Sequence, residues 1–299
     1  MSLDPKPRVL LTGGGGQVGQ AFQRLVAGTY DVVAPSRAIL DLCEPDMIAT
    51  FVEAGSWSLV INAGAYTAVD RAESEPIEAW RVNALAPAAL ALATVKAGVP
   101  MIQISTDYVF NGMKPSAYLE SDPVGPISVY GASKEGGEQA VRTQNPRHVI
   151  LRTAWVVSPY GQNFIKTMLR LAQDRDQLAV VDDQLGCPTS AADIAGTLVA
   201  VADRLMSSTD TPYGTYHFVN SGEATWCELA GRVFQRAVRY NQRVPDVRAI
   251  PSSDYPTPAR RPMNSRLDTA KITQDFGVVP RSWHQAVDQV VDELLKTEA

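Results

Sequence analysis

Arg8-Val9-Leu10-Leu11-Thr12-Gly13-Gly14-Gly15-Gly16-Gln17-Val18-Gly19 decides the fold of this chain. The first five residues read as a buried strand, and Gly13 to Gly16 as a tight turn. From Gln17 to Ala27, Val18, Phe22, Leu25 and Val26 recur at helical spacing. Gly13, Gly16 and Gly19 form a GxxGxxG pattern in the strand–turn–helix context that this motif requires. Glycines let the backbone approach a pyrophosphate, and the helix start offers free N–H groups and a partial positive charge. The motif alone is a weak signal, because an ordinary glycine-rich turn looks the same.

Outward from this turn, residues 30–34, 59–61, 101–104 and 149–151 read as further strands. Helical stretches at 45–54, 77–97 and 129–143 separate them. Alternation of this kind predicts an α/β fold with a doubly wound parallel sheet, and binding loops at the carboxyl ends of its strands. Beyond residue 153 the regularity weakens. Helices at 163–173, 191–206, 225–240 and 282–296 alternate with short strands at 216–219 and 247–250, and a proline-rich loop spans 251–262. The reading is a dinucleotide-binding domain over 1–153 and a smaller, mainly substrate-binding α/β lobe over 154–299, interlocked with the first.

Composition narrows the function. The 299 residues carry 27 Lys and Arg against 32 Asp and Glu, a net charge of −5, which argues against non-specific nucleic-acid binding. Cys43, Cys187 and Cys227 lie far apart with no CxxC pair, so a disulfide framework or zinc site is not expected and a reducing cytoplasm fits. No apolar run is long enough to span a membrane, and Met1 to Pro7 lacks the apolar segment of a signal peptide.

The end of the second strand selects the cofactor. NAD binding favours an acid there for the ribose 2′-hydroxyl, but the segment is Ala34-Pro35-Ser36-Arg37. Arg37 can meet a 2′-phosphate, so NADPH is preferred and NADH stays open; the alternative for Arg37 is a solvated loop charge. Asp41 and Leu42 are expected to border the adenine. Ala63, Gly64 and Ala65 follow the third strand and would let the backbone approach the cofactor.

Tyr130-Gly131-Ala132-Ser133-Lys134 carries the chemistry. Tyr130 and Lys134 are one helical turn apart and share a face. An ammonium beside a phenol favours the phenolate, giving a proton donor suited to carbonyl reduction. Ser105 and Thr106 follow the fourth strand, where a hydroxyl can bond the carbonyl oxygen. The alternative is a cap on the following turn.

This ordered set resembles the extended short-chain dehydrogenase/reductase superfamily, which implies a Rossmann-type sheet. Longer strings narrow the likeness: Ala65-Tyr66-Thr67-Ala68-Val69-Asp70-Arg71-Ala72-Glu73, Ser105-Thr106-Asp107-Tyr108-Val109-Phe110, Arg152-Thr153-Ala154-Trp155, Asn163-Phe164, and Tyr255 through Leu267. They resemble the dTDP-4-dehydrorhamnose reductase family over nearly the whole chain. The resemblance implies NADPH-dependent reduction of the 4-keto group of a dTDP-linked sugar to dTDP-L-rhamnose. It makes Tyr130 the proton donor. Lys134 would tune Tyr130 and hold the nicotinamide ribose, and Thr106 stands in for the superfamily's usual serine. Gly16, Gln17 and Val18 would hold the pyrophosphate, Trp155 the sugar, and Asn163 and Arg261 the nucleotide diphosphate.

Some members are described as metal-linked dimers. This chain has Ala192 where that site calls for an acid, with Glu293 remaining, so a Mg²⁺ dependence is doubtful and a homodimer stays an open state. Two rivals remain. One is a nucleotide-sugar epimerase or dehydratase, for which Asp107 after Thr106 formally supplies an acid. The other is a non-catalytic nucleotide-binding regulatory subunit.

Overall fold

Val9, Leu10 and Leu11 are all inaccessible to solvent, because the strand Arg8–Thr12 is covered on both faces. Successive side chains point to opposite faces. Val9 and Leu11 therefore pack with Phe22, Ile194 and Leu198, while Leu10 packs with Ile48, Val52 and Leu90. This computed structural model describes residues 6–208 and 210–296; Met1 to Pro5, part of the segment read above for a signal peptide, lie outside them.

The strand is one of six in a wholly parallel sheet. In spatial order these are Gly214–His217, His148–Thr153, Met101–Thr106, Leu59–Asn62, Arg8–Thr12 and Asp31–Val33. From Arg8–Thr12 the chain goes first to one side and then crosses to Leu59–Asn62 on the other. Such a reversal opens a crevice at the carboxyl ends of the two diverging strands. Gly13 and Ala63-Gly64 sit there.

The structure extends the expected fourth strand to Thr106, because pairing with His148–Thr153 continues through Ser105↔Arg152 and Thr106↔Thr153. The expected helix at 77–97 is a single helical run, Pro76–Trp80, Arg81–Leu85 and Ala86–Lys96, whose middle turn is π-helical. Pro87 has no N–H to give the Asn83 carbonyl, and Ala86 N bonds back to the Arg81 carbonyl instead.

The second half of the chain serves both lobes. Gly214–His217 is the sixth strand of the main sheet, and the helix Ala191–Ser207 packs beside Gln17–Leu25. The separate cluster is built by the helices Phe164–Asp174, Trp226–Ala237 and Trp283–Lys296 around Ile165, Val233 and Val287. A parallel pair, Gln177–Val181 with Asp246–Ile250, flanks it. The strand Gln177–Val181 and the helix Ala270–Phe276 were not read from the sequence; the helix is only seven residues long, too short to show periodicity.

Candidate active site

Gly13 has φ +72°, and a Cβ there would lie 2.4 Å from the Gly64 nitrogen. Only glycine permits this contact between the first and third strand ends. It is reinforced by the Thr12 hydroxyl on Asn62 Oδ1, and by Asn62 donating to Gln103 at 2.8 Å. The turn closes through Gly16 N on the Gly13 carbonyl at 2.9 Å, and Gly19 packs on that same carbonyl. Gly16 caps the helix Gln17–Leu25 with no side-chain bond, so the free N–H groups of Gln17 and Val18 are left for an anion. These residues fit the diphosphate of a dinucleotide.

Leu42 lies against Gly64, which places the Asp41-Leu42 loop beside Ala63 and Ala65 at this crevice. Asp41 organises the loop: one oxygen accepts from Cys43 N at 2.9 Å and the other pairs with Arg37 at 3.3 Å. Arg37 also reaches Glu78 at 3.5 Å, and its side chain is 74% exposed. A guanidinium so open to solvent is available to a 2′-phosphate, which must compete with two carboxylates for it.

Tyr130 is brought to the strand end by Gly131. A Cβ at Gly131 would lie 2.2 Å from the Tyr108 carbonyl oxygen, so the first turn of Val129–Gln144 sits directly on the turn after Thr106. Ser128 caps this helix by accepting from Gly131 N at 3.1 Å. The Tyr130 ring packs edge-on against Tyr108, and its phenol lies near Thr106. Burial pushes the phenol well above its ordinary range; the Thr106 hydroxyl pulls the other way, and the nearby Asp107 adds to the rise. This differs from the expectation that Lys134 would make the phenol more acidic. The Lys134 ammonium is instead turned to the Ile104 carbonyl at 2.7 Å, and desolvation governs the phenol. Lys134 is itself buried, which lowers its amine to about 8, with Glu138 opposing the shift.

Ser105 and Thr106 part company. Thr106 caps the turn Asp107–Val109, accepting from Tyr108 N at 3.2 Å, and bonds Asp107 at 2.9 Å. Ser105, expected beside the substrate carbonyl, faces the other side of the sheet with its register partner Arg152, because neighbours along a strand alternate. Asp107 is buried, and desolvation holds its carboxyl up to about 6.

Trp155, Asn163 and Arg261 come from the second half of the chain. Trp155 has φ +47°, a conformation that costs a non-glycine residue roughly 1–3 kcal/mol. Its ring stacks on Trp226 at 3.5 Å between centroids, and Phe164 leans on Trp226. Asn163, expected on the diphosphate, donates to Gln17 Oε1 at 3.0 Å and caps Phe164–Asp174. It thus ties the second lobe to the nucleotide turn. Arg261, also expected on the diphosphate, forms a two-pronged pair with Asp70 at 3.0 and 2.7 Å. Two of the strings that carry the family likeness meet in this pair.

Asn83 escaped the sequence reading. It accepts from Tyr66 N at 2.9 Å and donates to Tyr66 O and to Ser133, each at 3.0 Å. It thereby fixes the segment after Ala65 to the helix of Tyr130. The only sequence signal was Pro87 four residues on, inside a helical pattern.

The family described as RmlD substrate binding domain matches residues 7–296. A dTDP-4-dehydrorhamnose reductase of Sinorhizobium fredii is 45% identical over 289 residues, 96% of this chain and 98% of the relative. This chain belongs to the dTDP-4-dehydrorhamnose reductase family. Among solved structures, the reductase of Clostridium acetobutylicum superposes with a TM-score of 0.90 at 34% identity, covering 96% of this chain and 99% of that one. The reductase of Bacillus anthracis, in complex with NADP, gives 0.89 at 33% identity and the same coverage.

A metal link of the kind described for some members does not fit the residues present. Ala192 and Glu293 line a cleft of about 690 Å³ together with Ala21, Arg24, Arg281 and Lys296. One carboxylate among three cations is a poor set of ligands for Mg²⁺. Among the described residues, no helix is long and apolar enough to cross a membrane.

Proposed function

We propose that this protein reduces the 4-keto group of dTDP-4-dehydro-L-rhamnose to dTDP-L-rhamnose, using NADPH. The observation that carries this reading is the Tyr130 phenol, held protonated by burial near Thr106, with Lys134 one helical turn away, in a chain whose first strand ends in an uncapped glycine turn. Bound NADPH supplies the hydride. Tyr130 gives its proton to the oxygen that becomes the alkoxide, and a phenol kept protonated near neutral pH suits a donor. Thr106 lies beside the phenol, and Lys134 serves the ribose hydroxyls. The Trp155 ledge and Arg261 face the sugar and the diphosphate, the latter displacing Asp70 as partner. The reaction belongs in the cytoplasm, consistent with three free cysteines.

The test is to mix purified protein with NADPH and enzymatically prepared dTDP-4-keto sugar and follow loss of the reduced nicotinamide absorbance. Stoichiometric oxidation is expected. An epimerase or dehydratase would recycle its cofactor, and a regulatory subunit would bind NADPH with no turnover; either result overturns the reading.

Arg37 gives a separate prediction. Removing a charge-assisted contact worth about 1.5–3 kcal/mol should raise KM for NADPH on the order of tenfold or more in Arg37→Ala. KM for NADH should stay unchanged. Equal effects on both cofactors, or comparable efficiency of the unmodified protein with NADH, would show that Arg37 does not read the 2′-phosphate.

A further inference from the structure

Tyr130, Lys134 and Glu138 lie four residues apart on one face of the helix Val129–Gln144, and all three are buried. Tyr130 and Lys134 are accounted for by the reaction, but Glu138 is not. Its carboxylate is completely inaccessible to solvent and accepts from Arg152 Nε at 2.8 Å, Arg152 Nη2 at 2.6 Å and Arg142 at 2.7 Å. Arg152 stands on the neighbouring strand His148–Thr153, with Phe110 under its guanidinium and His217 at 3.4 Å. Two arginines, one fully buried, thus converge on a carboxylate one helical turn below the Lys134 ammonium.

A buried ion pair adds little stability over a well-packed apolar substitute, so burial alone does not explain it. Its place explains more. Among the described residues the amine of Lys134 has a single polar contact, the Ile104 carbonyl, and this dipole alone is a weak counterweight for an ammonium removed from water. Charged and titratable groups come from each element packed on this helix: Val69–Ala72 and Pro76–Lys96 bring Asp70, Arg71, Glu78, Arg81 and Lys96, with Asp70 held by Arg261 and Glu78 by Arg37. The helix itself brings Tyr130, Glu138, Glu135 and Arg142. The strand Met101–Thr106 and the turn after it bring Asp107 and Tyr108. The outer strands bring Arg152 and His217. His217 is held neutral, burial and Arg152 pulling it down to about 3. Asp107 is directed to Thr106. Glu138 is therefore the carboxylate placed to act on Lys134, and Arg152 holds it in position.

We propose that Glu138, clamped by Arg152, is a positioning residue for this reductase, keeping the Lys134 side chain charged and aimed at the Ile104 carbonyl. This rests on the reading of Lys134 as part of the catalytic group. With glutamine at 138 the carboxylate is gone and the Arg152 charge stands unopposed. Both changes disfavour the ammonium, so Lys134 should lose its proton at lower pH.

The experiment follows kcat for NADPH oxidation by the full-length protein between about pH 6 and 10, with thermal stability measured alongside. In Glu138→Gln the alkaline limb should move to lower pH by about one unit or more. Arg142→Met removes only the outer, partly exposed partner of Glu138, leaves more negative charge below Lys134, and should move the limb the opposite way. This second variant keeps the idea testable should Glu138→Gln fail to fold. A lower thermal midpoint with the limb unmoved in both variants overturns the proposal and leaves Glu138 a structural ion pair. Lys134→Met is the control: retained activity there would instead overturn the catalytic reading of Lys134.

Discussion

Tyr130→Phe is expected to lower turnover by about 10²-fold or more, the usual scale of general acid catalysis, while NADPH still binds. The variant keeps the ring that packs edge-on against Tyr108 and removes the phenol oxygen near Thr106. Its effect should therefore fall on kcat and leave cofactor affinity and thermal stability nearly unchanged. Burial already holds the phenol protonated across the neutral range, so wild-type activity should not be limited by loss of the Tyr130 proton there. An alkaline limb in that region reports Lys134, whose amine lies near 8. Single-turnover oxidation of bound NADPH separates the chemical step from product release. Turnover within a few-fold of wild type in that measurement would assign the proton to another donor, with Asp107 the first to test, because its carboxyl is held up to about 6 and bonds Thr106.

The alternation of strands and helices and the nucleotide turn were legible because both depend on local pattern. Buried runs such as Val9 to Leu11 and the glycines that follow them have few other uses. The pairing of Tyr130 with Lys134 was legible from helical spacing alone. What spacing could not show was where each polar head turns. Lys134 points to a carbonyl thirty residues away in sequence, so its influence on the phenol was overestimated. Ser105 was misplaced by a strand end set two residues short, since register decides face and pairing with His148–Thr153 decides the end. Asn163 and Arg261 looked like free polar groups but have protein partners, Gln17 and Asp70, in distant parts of the chain. Asn83 and Glu138 make their contacts across elements, with Ser133 and Arg152, and strand–helix contacts of this kind leave no pattern in local sequence.

Gly131→Ala tests how closely the chemistry depends on that packing. Alanine is favoured over glycine within a helix by about 1 kcal/mol, and the Gly131 backbone has no positive φ to forbid it. On helix propensity alone the variant should be more stable. Against this stands a Cβ only 2.2 Å from the Tyr108 carbonyl oxygen, a backbone atom in a turn anchored by Thr106. Neither side can yield by a side-chain rotation, so the helix start must move away from the strand end. Overpacking of this kind costs about 1–3 kcal/mol, which outweighs the propensity gain. The displacement carries Tyr130 away from Thr106, and a shift of about 1 Å at a catalytic group can cost on the order of 10²-fold in rate. The nucleotide turn lies on different strands, so NADPH affinity should change little. The expected result is a lower thermal midpoint and a kcat reduced toward that of Tyr130→Phe, with the NADPH dissociation constant nearly preserved. A variant as stable and as fast as wild type would mean that the approach of this helix to Tyr108 is not what sets the position of the proton donor.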